Sequence, residues 1–206
     1  MKALLIIDVQ NDFMPGGSLA VNQADKIIPV INAVQDKFNL VIATQDWHPA
    51  DHQSFAANHP GKKPFETIQL AGFEQTLWPN HCVQATQGAE LHPKLETQKI
   101  EAIFRKGMDK DLDSYSGFYD NHHKKNTGLA GFLHAKKVSK LYFSGLCADI
   151  CVYFTILDAL AEGFSCVLIE DATCALDINR FEQIKRELSE KGVTILQSRE
   201  LLTDFR

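Results

Sequence analysis

Residues 138–161 read VSKLYFSGLCADICVYFTILDALA, and the order of residue types in this stretch decides the fold. An apolar, β-prone run from Leu141 to Phe143 ends at Gly145, and a long apolar helical pattern follows. The stretch therefore predicts a strand, a tight turn and a helix, with Cys151 in the first helical turn. The unpaired N–H groups of a helix N-terminus favour thiolate over thiol, and the thiolate is the nucleophilic form. Most free cysteines are small buried hydrophobes, so other residues must decide the role of Cys151.

Other short apolar runs resemble this strand, and near-continuous apolar runs are typical of parallel strands covered on both faces. We expect six strands, at 3–7, 40–43, 101–105, 140–144, 165–170 and 193–197. Helical spacing of apolar residues predicts helices at 23–38, 150–163 and 178–192, with Gly163 and Gly192 at the C-terminal stops. The alternation predicts an α/β fold with a doubly wound, mainly parallel six-stranded sheet and helices on both faces, formed by residues 1–206 as one domain.

Composition excludes several classes of function. The formal net charge of −5 is spread along the chain without a basic stripe, so we expect no nucleic-acid partner. No apolar run approaches the ~20 residues of a membrane-spanning helix, and the N-terminus lacks the layout of a signal peptide. Five cysteines are an odd number and lie mostly in apolar or helical contexts. Reduced thiols and a cytoplasmic location are therefore expected rather than a disulfide framework.

One connection is unusually long. Roughly sixty residues separate the second predicted strand from the third, and they are rich in His, Pro, Gly and Asn. A connection of that length is usually functional or disordered. Its aromatic residues, Trp47, Phe55, Phe65, Phe73 and Trp78, argue against disorder. The segment is therefore expected to contribute to a functional site.

Four candidate residues lie at or just after the ends of predicted strands: Asp8, Asp46, Lys106 and Cys151. A doubly wound sheet brings the carboxyl ends of its strands to one edge, where ligands bind. A thiol, a lysine and a carboxylate grouped there would form an activated-nucleophile site. Each residue alone has an ordinary alternative, since Asp8 could be a turn former and Lys106 a solvated charge.

A metal site is a second candidate. Alternate residues of an extended segment share a face, so Asp46 and His48 could point to one ion. His81 lies further along the long connection, and His52 is a further possible ligand. Two imidazoles and a carboxylate suit Zn²⁺, Fe²⁺ or Mn²⁺ with positions left open for water or substrate. With eight histidines in the chain, spacing alone is a weak signal.

Taken in order, these motifs resemble the nicotinamidases, a family within the isochorismatase-like cysteine hydrolase superfamily. The resemblance spans nearly the whole chain. It is carried by LLIIDVQNDF at 4–13, PGGSL at 15–19, QDWHP at 45–49, WPNHCV at 78–83, KG at 106–107, SYSGF at 114–118 and GLCADICV at 145–152.

The resemblance implies hydrolysis of nicotinamide, and of the related amide pyrazinamide, through a thioester on the enzyme, as a step of NAD salvage. It implies a catalytic triad of Asp8, Lys106 and Cys151. It implies one divalent metal ion, Zn²⁺ before Fe²⁺ or Mn²⁺, held by Asp46, His48 and His81. It also implies a cis Leu146–Cys147 peptide, with the N–H groups of Cys147 and Cys151 as the oxyanion hole. The implied ring pocket is lined by Phe13, Leu19, Trp78 and Tyr115.

Two other functions stay open at this point. One is another amide or carbamoyl hydrolase of the same superfamily, and the other is a non-catalytic metal-binding redox protein. The chain departs from relatives at Cys147, where a small residue is common, at Ile150, where some members have His, and in an acidic insert around Asp111. A homo-oligomer is also left open.

Overall fold

The computed structural model describes residues 1–70 and 72–203. Six strands form one sheet, and two more form a separate hairpin. In chain order the strands are β1 (Lys2–Ile7), β2 (Val41–Asp46), β3 (Thr67–Leu70), β4 (Phe73–Thr76), β5 (Ile100–Lys106), β6 (Lys140–Gly145), β7 (Ser165–Thr173) and β8 (Thr194–Leu196). The helices are α1 (Ile27–Gln35), α2 (Leu129–Ala135), α3 (Tyr153–Ala161), α4 (Ile178–Glu190) and α5 (Ser198–Leu202).

The six-stranded sheet has the order β5-β2-β1-β6-β7-β8, and every neighbouring pair is parallel. This confirms the predicted fold class. Ile7 pairs with Gly145, and Asp46 pairs with Lys106, so the carboxyl ends are level within the pair β1 and β6 and within the pair β2 and β5. The chain reverses its direction of winding between β1 and β6. Such a switch point opens a crevice at the carboxyl ends of the strands.

Two buried clusters cover the faces of the sheet. Leu4 and Ile6 point to one face and pack in the same cluster as Ile31 of α1. Leu5 and Ile7 point to the other face and pack in the same cluster as the residues of α2, α3 and α4. The alternation follows from the two-residue period of a strand, and it explains why β1 is apolar throughout.

The three predicted helices are found at the expected places in the chain, but two of them begin later than predicted. Gly163 and Gly192 follow α3 and α4 with positive φ angles, as predicted. The predicted helix at 23–38 is shorter, because Gln23 has a φ of 61° and a single 3₁₀ turn precedes α1. The segment before α3 is a π-helical turn, Ala148–Val152, so Cys151 lies in a widened turn rather than a regular α-helical one. None of the helices in the described ranges is long and apolar enough to cross a membrane.

The long connection contains structure that the sequence analysis did not predict. Its middle forms the antiparallel hairpin of β3 and β4, with Thr67 opposite Thr76. Each strand has only four residues, which is too short for alternation to give a clear signal. The helices α2 and α5 are likewise too short for helical periodicity to give a clear signal, so they were not predicted.

Candidate active site

Four side chains meet beyond the carboxyl ends of the strands. Asp8 directly follows β1, Asp46 ends β2, Lys106 ends β5, and Cys151 lies in the turn after β6. All four are buried, with exposed fractions between 0% and 6%. The residues that the sequence placed at strand ends are therefore brought together at the switch point of the sheet.

Lys106 is the centre of this group. Its Nζ donates to Asp46 Oδ1 at 2.6 Å, to the Ser114 carbonyl at 3.1 Å and to Cys151 Sγ at 3.6 Å. These three bonds match the three N–H groups of an ammonium. Asp8 Oδ2 also lies 2.9 Å from Nζ as an ion pair. Asp8 Oδ2 is thus a proton acceptor held beside the ammonium.

The position of Asp8 is fixed on its other side. Thr44 Oγ1 donates to Asp8 Oδ1 at 2.7 Å. The backbone of Asp8 has a φ of 49°, in the left-handed region that few residues other than glycine adopt. Such conformations cluster at functional sites, where the surroundings hold them in place.

Burial sets the protonation of the group. It raises the pKa of Cys151 well above the usual value, although the Lys106 ammonium opposes this. Burial also raises the pKa of Asp8, again against Lys106. The pKa of Lys106 is itself raised, because Asp46 and Asp8 outweigh the effect of burial. Burial therefore opposes the thiolate that the helix N-terminus favours, and it acts on the Cys151 thiol and on the neighbouring Asp8 carboxyl in the same direction.

Asp46, His48 and His81 form a second cluster beside Lys106. Asp46 Oδ2 lies 3.6 Å from His48 Nε2 and 3.8 Å from His81 Nε2. One ligand atom from each of the three residues lies within 4.8 Å of the other two, and all three side chains are buried. His81 comes from the long connection that contains the hairpin of β3 and β4. Asp46 is the last residue of β2, and His48 lies just after it.

Hydrogen bonds orient both imidazoles. His48 Nδ1 bonds the Gly107 carbonyl at 2.9 Å, and His81 Nδ1 bonds the Pro79 carbonyl at 2.8 Å. A carbonyl can only accept, so each Nδ1 carries the proton and each Nε2 presents its lone pair towards Asp46. Two such nitrogens facing a buried carboxylate oxygen fit a divalent cation, since this is the usual arrangement of metal-binding histidines.

The pKa values agree with this interpretation. Burial, followed by the His48 ring, lowers the pKa of His81 to about 4, so His81 is neutral and able to act as a ligand at neutral pH. Burial would lower the pKa of His48, but the Asp46 carboxylate outweighs it and raises the pKa. A proton and a cation therefore compete for His48 Nε2.

Gly107 allows the His48 ring to lie where it does. Its φ is +66°, and a Cβ built on it would stand 2.3 Å from His48 Cε1. A side chain at this position would displace the ring and break the bond from His48 Nδ1 to the Gly107 carbonyl. Gly107 is therefore needed to leave room for the His48 ring in the cluster of Asp46, His48 and His81.

A pocket of about 350 Å³ opens above both clusters. It is lined by all four residues of the predicted ring pocket, Phe13, Leu19, Trp78 and Tyr115. Its wall also includes three residues that the sequence analysis did not assign to the pocket, Asp113, Ile150 and Leu176. Two of them had some signal in the sequence, because Asp113 belongs to the acidic insert and Ile150 is a position where the chain departs from relatives.

Asp113 and His52 lie beside the ligand cluster. Gln75 Nε2, from β4, donates to Asp113 Oδ2 at 2.9 Å, which ties the hairpin to the pocket wall. His52 Nδ1 bonds Ser54 Oγ at 2.7 Å, and His52 groups with His48 and Asp113 rather than with Asp46. The structure therefore places His52 in the surroundings of the ligand cluster and not among its three members.

The turn that carries Cys151 is fixed by backbone contacts. The Leu146–Cys147 peptide is cis, as the resemblance implied. The Asp149 carboxylate accepts the N–H groups of Leu176 at 2.9 Å and Asp177 at 2.8 Å. These two hydrogen bonds join the turn that carries Cys151 to the segment after β7, and so they place Leu176 in the pocket wall.

Comparison with known proteins gives a consistent result. The family model described as the isochorismatase domain matches residues 2–200. Two curated relatives are nicotinamidases: the Acinetobacter baylyi protein is 46% identical over 97% of this chain and 94% of its own length. The Escherichia coli protein is 42% identical over 94% of this chain and 93% of its own length.

Solved structures agree in fold and sequence. A nicotinamidase and pyrazinamidase of Acinetobacter baumanii has a TM-score of 0.94 at 48% identity, covering 97% of both chains. A protein of L. infantum in complex with nicotinate has a TM-score of 0.86 at 40% identity, covering 97% of this chain and 93% of its own. A pyrazinamidase of Pyrococcus horikoshii in complex with zinc has a TM-score of 0.79 at 36% identity, covering 95% and 98%.

Proposed function

The chain belongs to the isochorismatase family, and from that premise we propose that it hydrolyses nicotinamide to nicotinate and ammonia, with Cys151 as nucleophile. The observation that carries the proposal is the buried contact among Asp8, Lys106 and Cys151 at the base of an aromatic-lined pocket. Identity of 42% and 46% to nicotinamidases supports the substrate. Pyrazinamide, a ring of the same shape with the same carboxamide, is a second substrate. The reaction returns nicotinamide to NAD synthesis.

Acylation begins with a proton transfer. Asp8 Oδ2 takes the thiol proton of Cys151, and the sulfur attacks the carboxamide carbon. The N–H groups of Cys147 and Cys151 hold the oxyanion that forms, and each such donor contributes about 3–4 kcal/mol in other enzymes. Protonated Asp8 then gives its proton to the leaving nitrogen. Ammonia departs, and the nicotinoyl group remains on Cys151 as a thioester.

Deacylation reuses the same groups. Asp8, again a carboxylate, takes a proton from water while the water oxygen attacks the thioester carbon. The bond to sulfur breaks, the proton returns from Asp8 to Cys151, and the acid leaves as nicotinate with its carboxyl proton lost to solvent. Lys106 donates to Cys151 Sγ throughout, so its charge stabilises the sulfur anion whenever that anion forms.

Charge balance explains why a buried thiol can react. Transfer of a proton from Cys151 to Asp8 moves a negative charge by less than 5 Å, since their ligand atoms lie within 4.8 Å of each other. The net charge of the site is unchanged by this step, and Lys106 touches both groups. Burial raises the pKa of Cys151 and of Asp8. Because the two shifts have the same direction, proton transfer from Cys151 to Asp8 stays feasible.

A divalent metal ion, most suitably zinc, would be held by Asp46, His48 and His81. When bound, the ion would act as a Lewis acid and would help to orient the substrate ring. Zinc in the Pyrococcus horikoshii pyrazinamidase supports this choice. Phe13 and His81 are themselves in ring contact, with centroids 5.6 Å apart, so the aromatic wall continues up to the ligand cluster.

Location and extent of the enzyme are part of the proposal. We assign residues 1–206 to a single hydrolase domain, supported by the family match over 2–200. We assign the enzyme to the cytoplasm, because its five cysteines are unpaired and four of them are buried.

An ammonia-release assay tests the function and the metal together. Nicotinamide should be hydrolysed by the metal-loaded protein, chelation should remove the activity, and Zn²⁺ should restore it. His81→Ala should lower turnover by more than about 100-fold, because a ligand contributes at least as much as the groups that orient it. Alkylation of Cys151 should persist in this variant. His134→Ala, which removes an exposed histidine, is the matched control.

The same assay separates the alternatives. Absence of ammonia from nicotinamide, with release from a carbamoyl compound, would indicate a different hydrolase of the family. Tight metal binding with no amide hydrolysis at all would indicate a non-catalytic redox protein. Normal turnover in His81→Ala would show that the metal assignment is wrong while leaving the nucleophile in place.

A further inference from the structure

The segment after β1 carries two polar side chains that the proposed chemistry does not use. Gln10 and Asp12 follow Asp8 at intervals of two residues. Neither lines the pocket, and neither contacts Cys151 or Lys106 in the described part of the chain. Gln10 instead binds the backbone of Asp46, and Asp12 binds the backbone N–H of Cys82, the residue after His81.

Gln10 holds Asp46. Its Oε1 accepts the Asp46 N–H at 2.8 Å, and its Nε2 donates to the Asp46 carbonyl at 2.8 Å. The same Nε2 donates to the Ala89 carbonyl at 2.8 Å. The side chain is fully buried, so water cannot replace these bonds. Both peptide groups of the ligand residue are therefore fixed by one amide.

Asp12 holds the residue after His81. Its Oδ2 accepts the N–H of Cys82 at 2.7 Å. Cys82 has a φ of 47°, so the chain turns sharply directly after His81 and needs an external contact to keep that conformation. A carboxylate bond to this N–H fixes the peptide plane that begins at His81.

The Asp12 carboxylate lies against Gly88, in the space that a side chain at position 88 would fill. A Cβ built on Gly88 would lie 2.2 Å from Asp12 Oδ2, 2.4 Å from Cγ and 2.5 Å from Oδ1. The φ of Gly88 is not in the left-handed region, so the backbone itself would accept alanine. The glycine is needed for the space that the carboxylate fills.

From these contacts we infer that Gln10 and Asp12 are positioning residues for the metal ligands: Gln10 sets Asp46, and Asp12, with room provided by Gly88, sets His81. The inference rests on the proposed function, because the ligand set belongs to it. Groups that orient ligands typically change metal affinity by about 10- to 100-fold when removed.

The test measures Zn²⁺ affinity by competition with a chelating dye, using the full chain. Asp12→Ala should bind Zn²⁺ about 10- to 100-fold more weakly. Asp12→Asn should recover most of the affinity, because its Oδ1 can still accept the Cys82 N–H. Asn11→Ala is the matched control: Asn11 Nδ2 donates to the Gln87 carbonyl at 2.7 Å, across the same junction, without touching a ligand residue. Gln10→Met should weaken binding to a similar extent as Asp12→Ala.

Gly88→Ala supplies a test that does not depend on the loss of a side chain. Alone it should weaken Zn²⁺ binding, since its Cβ displaces the Asp12 carboxylate. In the Asp12→Ala background it should have little further effect, because the atoms it meets are gone. Additive effects would instead mean that Gly88 acts independently of the Asp12 carboxylate.

The outcomes separate this inference from the function it rests on. Equal Zn²⁺ affinity in Asp12→Ala and Asn11→Ala would overturn the positioning role alone, and additive effects of the Gly88 and Asp12 changes would overturn the part assigned to Gly88. Wild-type protein that bound no stoichiometric Zn²⁺ would overturn the metal site and this inference together.

Discussion

Cys151→Ala should lower the rate of ammonia release from nicotinamide by more than about 10⁴-fold, the scale seen when other enzymes lose their nucleophile. No other side chain can replace it. Among the described residues, Cys147 is the second thiol in the pocket wall, but the thiol that accepts from Lys106 Nζ is that of Cys151. Steady-state ammonia assays on wild type and variant give the ratio directly.

Cys166→Ala is the control for this change. Cys166 is also buried, but it lies in β7 and bonds the Phe164 carbonyl far from the pocket. It should retain full turnover, and Cys151→Ala should retain its metal, since Cys151 is not among the three ligands. A Cys151→Ala protein within about 10-fold of wild type would mean that another group attacks the amide.

Asp8→Asn should lower turnover by about 10²- to 10⁴-fold, the contribution of a general base elsewhere. The amide keeps the bond from Thr44 but cannot accept the Cys151 proton. In wild type, activity should fall as the pH drops, because Asp8 must be unprotonated to act. Burial raises the Asp8 pKa, so the loss should occur at a higher pH than for an exposed aspartate. The acidic limb of the kcat/KM profile should disappear in the variant.

Asp25→Asn, which changes an exposed carboxylate of the 3₁₀ turn before α1, is the matched control and should leave both rate and pH profile unchanged. An Asp8→Asn profile that kept its acidic limb would assign the base to a different residue. Rates near wild type would remove Asp8 from the reaction.

The strands were predictable because their signal is local. The runs at 3–7 and 140–144 are continuous apolar segments, and in the structure they are β1 and β6 within one residue at each end. The general behaviour of doubly wound sheets then placed Asp8, Asp46, Lys106 and Cys151 at one edge. The proposed metal ligands and the proposed catalytic triad were identified from the motif resemblance, since spacing alone left several histidines equivalent.

The burial of Cys151, which raises its pKa, could not be predicted in this way. A helix N-terminus suggested a thiolate, but that signal ignores burial, which depends on residues distant in sequence. Asp113 and Leu176 entered the pocket wall through long-range contacts, with Gln75 and Asp149 respectively. Asp46, which Gln10 binds, lies 36 residues away from it, and Cys82, which Asp12 binds, lies 70 residues away, so their role was equally hidden.

The central claim is that Cys151 carries the acyl group. The direct measurement is mass spectrometry of wild-type protein quenched in acid during turnover of nicotinamide, followed by peptide mapping. We expect a nicotinoyl adduct on the peptide containing Cys151, present while substrate remains and lost after its depletion. Turnover with no adduct under conditions that preserve thioesters, or an adduct on any other residue, would contradict the account.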